Sequence, residues 1–285
     1  MRYPLLCLAA LAVTSACQTG QPDTERNPAV VQETITSPEA QPSVLPARRL
    51  RALLRSEWVK AAYLDALQQT HSPQMVGETK LAYGNMAFSP SPETQRADSV
   101  FLDVNWNNHE GSTLKLVLQP RVGTTAFPLL QDSQDEDEQM ELTYAMPAGD
   151  TLLQINTYNR RRKLRESVLY RRVKGGIAAA VNQALVAGAY TGVDSLGRPV
   201  RVRLGPDGLV TGLPGLKTYQ VNIDFNGGPE TGEDMLFCNI DNDKQRKDLG
   251  YRIAQDTLRL YSLRTDSIAA PYLHRVLYTL VRRRS

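Results

Sequence analysis

"GDTLLQINTYNRRRKLRESVLYRRV" runs from Gly149 to Val173, and "QDTLRLYSLRTDSIAAPYLHRVLYTLVRR" runs from Gln255 to Arg283. Both give Asp-Thr-Leu, an alternating apolar strand, a polar connection, and then a strand containing Leu-Tyr that ends in arginines. The match extends beyond these ends. "WVKAAYLDALQQTHSP" from Trp58 and "LVAGAYTGVDSLGRP" from Leu185 share Ala-Tyr followed by a proline. "LDVNWNN" from Leu102 matches "VNIDFNG" from Val221. The spacing shrinks from 127 (Tyr63 to Tyr190) through 119 (Val104 to Ile223) to 106 (Asp150 to Asp256). The first copy therefore carries extra residues. The polar loops Ser89–Asp98 and Gln131–Gln139 are where insertions are best tolerated.

Each copy reads as strand. In "TYQVNIDF", Tyr219, Val221, Ile223 and Phe225 point one way, while Gln220, Asn222 and Asp224 point the other. In "SVFLDVNW", Val100, Leu102, Val104 and Trp106 form the apolar row. "TLKLVLQ", "LGYRIAQ", "TLRLYSL" and "RVLYTLV" alternate as well. A period of two with one greasy face is a half-buried antiparallel strand. "DSLGRP", "GPDG", "NGG" and "DNDK" punctuate the strands as turns. The second copy has room for about eight strands, which suits an up-and-down barrel or sandwich. Two helical segments complete the pattern. One is the stripe Leu50, Leu53, Leu54, Trp58, Ala61, Leu64, although Trp58–Tyr63 equally fits the start of a strand. The other is "GGIAAAVNQALVAG", Gly175–Gly188, between the copies. The expected class is mainly β: two tandem antiparallel up-and-down barrel or sandwich domains, with an N-terminal helix and a short inter-domain helix. The expected boundaries are 47–174 for the first domain, with its leading helix, and 175–285 for the second.

The N-terminus reads as a targeting segment. Arg2 precedes the apolar stretch Leu5–Val13, which is too short to span a bilayer. Thr14, Ser15 and Ala16 then lead to Cys17, and this arrangement resembles the lipobox of bacterial lipoproteins. The resemblance implies a signal peptide over 1–16, acylation of Cys17, and a globular part anchored to the membrane rather than spanning it. Gln18 in place of Asp after the cysteine implies the outer membrane of the bacterial cell envelope. Residues 18–46 are rich in Pro, Thr, Gln and Glu with no apolar period, the composition of a disordered tether. Of the three cysteines, Cys238 alone then remains in the folded part, as a small buried hydrophobe in "DMLFCNI". The net charge of +3 carries no sign of a nucleic-acid partner.

The stretch "AGAYTGVDSLGRPVRVRLGPDGLVTGLPGLKTYQVNIDF" and the closing "YRIAQDTLRLYSLR…VLYTLVRR" resemble the lipocalin-like domains of bacterial lipoproteins. That resemblance implies barrels able to hold one small apolar or lipid-like molecule. The inward rows Val100, Leu102, Val104, Trp106 and Tyr219, Val221, Ile223, Phe225 are then the candidate ligand-binding residues. The alternative is a structural or interaction module of the envelope, with filled barrels and a protein partner.

Signals for catalysis are weak, and the expectation is no enzyme, no cofactor and no metal. The histidines, His71, His109 and His274, are far apart in sequence, and no His-Glu-x-x-His pair is present. "HEG" at His109–Gly111 has the residues of a base and its partner, and it is the only hydrolase candidate; it reads equally as a polar turn. "DNDKQRKDLG" lacks the glycine and closing glutamate of a calcium loop. The acidic run in 131–139 reads as a solvated loop. The basic hairpin "NRRRKLR" is either a solvated turn or a contact for anionic headgroups.

Overall fold

The computed structural model describes residues 46–77, 87–90, 96, 98–106, 110–131, 138–145, 151–223, 232–265 and 270–283. Cys17 and residues 18–45 of the expected tether lie outside this set. By its contacts the chain divides at Gln41, and Pro42–Ser285 form one compact unit.

The first half runs α1 (Ala47–Leu54), β1 (Glu57–Lys60), α2 (Ala61–Thr70), α3 (Pro73–Gly77), β2 (Ala87–Pro90), β3 (Ser99–Trp106), β4 (Glu110–Val117), β5 (Phe127–Gln131), β6 (Glu138–Ala145), β7 (Leu152–Asn159) and β8 (Leu164–Val173). The second half runs α4 (Gly176–Leu185), β9 (Gly188–Asp194), β10 (Pro199–Leu204), β11 (Val210–Thr211), β12 (Tyr219–Val221), β13 (Met235–Cys238), β14 (Lys247–Ala254), β15 (Thr257–Arg264) and β16 (Tyr272–Arg282). The fold is mainly β, in two antiparallel up-and-down sheets, as the alternation predicts.

β1 to β8 close into a barrel in sequence order, with β1 pairing β8. β9 to β16 make a curled sheet in which β9 likewise pairs β16. Its edges, β11 and β12, meet at a single bridge between Leu209 and Thr218. There the Val210 N–H donates to the Lys217 carbonyl (2.8 Å) and the Tyr219 N–H to that of Gly208 (2.7 Å). Gly208 has φ +82° and approaches the opposite strand so closely that a Cβ would stand 2.6 Å from the Tyr219 carbonyl oxygen. Only glycine fits both demands.

The Asp-Thr-Leu repeat falls on equivalent elements, since it leads into β7 in one half and β15 in the other. The other two matches do not. Tyr63 lies on α2 whereas Tyr190 lies on β9. By position in its sheet the true counterpart of Tyr190 is Trp58. Trp58 pairs with Arg172 of the last strand, and Tyr190 with Arg282. The Leu102 row sits on the third strand of its meander, but the Val221 row sits on the fourth. The first half carries a further insertion that the loop assignment passed over, the helices α2 and α3 between β1 and β2.

Local chemistry explains these elements. α1 follows Pro46 and turns Leu50 and Leu54 to one face, i and i+4. Both leucines are fully buried in the core of the first barrel beside Trp58, Val100, Leu102 and Val104. α2 ends at His71, which takes a left-handed φ of 56° and donates its N–H to the Leu67 carbonyl at 2.8 Å.

α2 and α3 join the core of the other half. Val59, Tyr63, Leu64, Leu67 and Val76 cluster with Val181, Leu185, Val221 and Tyr251 of the second half. β1 is thus buried on both faces, with Trp58 in one core and Val59 in the other. Polar contacts lock the same seam. The Gln74 N–H donates to Asp234 Oδ1 at 3.1 Å, and Glu57 from β1 sits at the start of α4. A Cβ on Gly176 would stand 3.2 Å from Glu57 Oε2. A carboxylate at a helix N-terminus is favoured by the helix dipole.

Candidate functional site

A cleft of about 460 Å³ opens where α4 leaves the first half and crosses the edge of the curled sheet. One wall is the first part of α4, with Ala178, Ala179 and Asn182. The other is the β10–β11 turn and β12, with Pro206, Asp207, Tyr219 and Gln220. Lys174, exposed at the rim, brings one cation.

The walls are held by side chains already committed to structure. Asn182 is buried and bridges the helix to both strand ends. Its Oδ1 accepts from the Val221 N–H at 3.1 Å, and its Nδ2 donates to the Pro206 carbonyl at 3.3 Å. Tyr219 donates its hydroxyl to the Gly205 carbonyl at 2.7 Å, and burial pushes its pKa up, so it stays a neutral donor. With these polar groups satisfied, the surface left for an occupant is the methyls of Ala178 and Ala179, the Pro206 ring and the Tyr219 ring. Lys174, Asp207 and Gln220 stand at its edge. A cleft of this volume lies within the usual size range of ligand sites.

A second, smaller cavity of about 50 Å³ lies at the other end of α4, between His71, Tyr190, Asp256 and Arg282 among others. Arg282 dominates it. Its Nη2 donates to the Leu185 carbonyl (2.7 Å) and to the Tyr190 hydroxyl (2.9 Å), and its guanidinium lies 5.6 Å from the Tyr190 ring centre. The Tyr190 hydroxyl in turn donates to the Val186 carbonyl at 2.7 Å. Burial raises the Tyr190 pKa and Arg282 opposes that rise. This constellation straps the last strand to the end of α4; it is structural.

Of the eight residues expected to bind ligand, Tyr219 alone among those described lines the cleft. Val100, Leu102, Val104 and Val221 are buried in the two cores, and Ile223 is half-buried against the second. The side chain of Trp106, and Phe225 and His109 altogether, lie outside the described residues. His274 is exposed on β16. Cys238 is buried, and burial pushes its thiol up to about 12, a poor nucleophile. No three His, Cys, Asp or Glu side chains gather as a metal site would need, among the described residues.

Two arginines of the basic hairpin are committed to ion pairs. Arg162 pairs with Glu141 (2.9 Å) and Arg165 with Glu138 (2.8 Å). Asn182 was the missed signal: a lone amide between Val181 and Leu185 on the apolar face of a helix asks for a partner. The rest of the cleft had none, because alanines and a proline carry no motif.

No protein-family model matches the chain, and no curated protein matches it in sequence. Among the described residues no helix is long and apolar enough to cross a membrane.

Proposed function

We propose that this protein is a non-enzymatic lipoprotein of the bacterial cell envelope, anchored through Cys17, whose lipocalin-like second half binds a small apolar or lipid-like molecule. The observation that carries the reading is the 460 Å³ cleft walled by Ala178, Ala179, Pro206 and Tyr219. Its methyl and ring surfaces gain by leaving water, and Lys174 at the rim suits a ligand with an anionic end. A ligand of about 20 heavy atoms at about −0.3 kcal/mol per atom binds in the tens of micromolar. That is affinity enough to carry a molecule and release it.

A second reading, a structural envelope module, draws support from the packing. Leu50, Leu54, Trp58 and the Val100 row fill the core of the first barrel, as Val181, Val221 and Tyr251 fill that of the second half.

The test is competition for a fluorescent fatty acid. Ala179→Trp places an indole in the cleft and should abolish saturable binding while the circular dichroism stays unchanged. Equal binding by the variant would refute the cleft as the site. Native mass spectrometry of the purified protein should show a co-purified adduct that the variant lacks.

A further inference from the structure

The charge of the second half is segregated. Four adjacent strands, in the order β10, β9, β16, β15, carry Arg201, Arg203, Arg259, Arg264, Arg275 and Arg282 against one acid, Asp194. Asp194 is already taken by Arg198 at 2.7 Å, and Arg282 by the strap at the end of α4. The chain as a whole is nearly balanced, with 33 basic and 30 acidic residues, so this separation is local.

Register places Arg201, Arg203 and Arg259, together with Arg283 just past the end of β16, on one outward face. Arg201 and Arg203 are exposed two residues apart on β10, about 7 Å along the strand. Arg203 stands opposite Ala189 of β9, and the Arg283 N–H donates to the Ala189 carbonyl at 2.8 Å. On the far side, Arg259 of β15 stands opposite Thr279 of β16, which in turn faces Val193 of β9. Among the described residues, none of Arg201, Arg203, Arg259 and Arg283 has an acidic partner. The strip between them is small and uncharged: Ala189, Thr191, Val193, Thr279 and Val281. Val193 and Val281 are 42% and 47% exposed. Unpaired like charges repel, so this grouping costs the isolated molecule stability without return.

We propose that this face docks on the anionic headgroup layer of a phospholipid membrane. Guanidinium groups fit phosphate oxygens in a bidentate fork and are weakly hydrated. The two valines between them supply shallow apolar contact at the headgroup boundary. A nucleic acid is the weaker fit, because no aromatic side chain is interleaved with the four arginines to stack bases. The docking is independent of the cleft and of acylation at Cys17, and it fixes which side of the anchored protein lies against the lipid.

The experiment uses the compact unit Pro42–Ser285, which carries no acyl chain. Co-sedimentation with phosphatidylcholine vesicles should be negligible, and vesicles containing phosphatidylglycerol should bring the protein down. Salt near 1 M, which cuts the screening length to about 3 Å, should release it. The quadruple variant Arg201→Gln, Arg203→Gln, Arg259→Gln, Arg283→Gln should bind on the order of a thousand-fold more weakly. Its melting temperature should hold or rise, because all four side chains are exposed and their mutual repulsion is relieved. Neutralising Arg160 and Arg161 of the hairpin instead should change binding little. Binding of the quadruple variant within about two-fold of the parent would overturn the proposal, as would equal binding to neutral vesicles. Tighter binding to single-stranded RNA than to the anionic vesicles would also overturn it.

Discussion

Replacing Arg282 by alanine should loosen the second half more than any other change to a half-exposed side chain. The guanidinium makes one charged hydrogen bond to the Leu185 carbonyl (2.7 Å) and two to the Tyr190 hydroxyl, at 2.9 and 3.3 Å. Hydrogen bonds to a charged group contribute about 1.5–3 kcal/mol each, and partial exposure at the strand end reduces that by roughly half. The two acceptors are reached by one side chain, so the summed loss is about 2–3 kcal/mol. For a unit of this size, about 2–4 °C is lost per kcal/mol, so the melting temperature should fall by about 5–10 °C. Arg282→Lys should recover less than half, since one ammonium cannot span both oxygens in the geometry of the fork. Tyr190→Phe removes the hydroxyl but keeps the ring. In a double-mutant cycle with Arg282→Ala it should show a coupling of about 1 kcal/mol. The assay is denaturant unfolding followed by far-ultraviolet circular dichroism. A loss below about 0.5 kcal/mol for Arg282→Ala, with no coupling to Tyr190, would show that the strap holds nothing.

Asp234 is buried, and burial raises its pKa against the opposing contacts of Ser72, the Gln74 N–H and Arg252. The native protein therefore holds this proton to a higher pH than the unfolded chain does. The stability from that proton is full below the ordinary aspartate range and is lost as pH rises through the raised value. Asp234→Asn should flatten that decline in melting curves taken across mildly acidic pH, and an unchanged slope would count against it. Tyr251→Phe should stabilise by about 1 kcal/mol, because among the described residues the buried Tyr251 hydroxyl has no hydrogen-bond partner; a destabilised variant would reveal a partner. A fragment beginning at Lys174 loses Val59, Tyr63, Leu64, Leu67 and Val76 from its core. At about 1.5–3 kcal/mol each this rivals the whole stability of a domain, so the fragment should bind 1-anilinonaphthalene-8-sulfonate and melt without cooperativity. A sharp melt would refute that dependence. Cys17→Ala should release the protein from salt-washed membranes, and retention would refute the anchor.

The alternation in Val100, Leu102 and Val104, and in Tyr219 and Val221, was enough to give antiparallel strands with one buried face, because side chains alternate with a period of two whatever the strand's neighbours are. The repeated Asp-Thr-Leu strands were enough to give two halves built alike. Those are local properties, and the sequence determined them. Which residues face each other is not local. Ala-Tyr at 62–63 and at 189–190 is the same dipeptide, yet one is helix and the other strand. Tyr63 is drawn into α2 because that helix fills the core of the other half, and tertiary packing overrides a weak propensity. The cleft was equally hidden. Ala178, Pro206 and Tyr219 are dispersed along the chain, and they form one surface only because Asn182 ties α4 to the edges of a curled sheet. The arginine face followed the same rule. Arg201 and Arg283 are far apart in sequence, and only the pairing of β10 with β9 and of β9 with β16 sets their charges side by side.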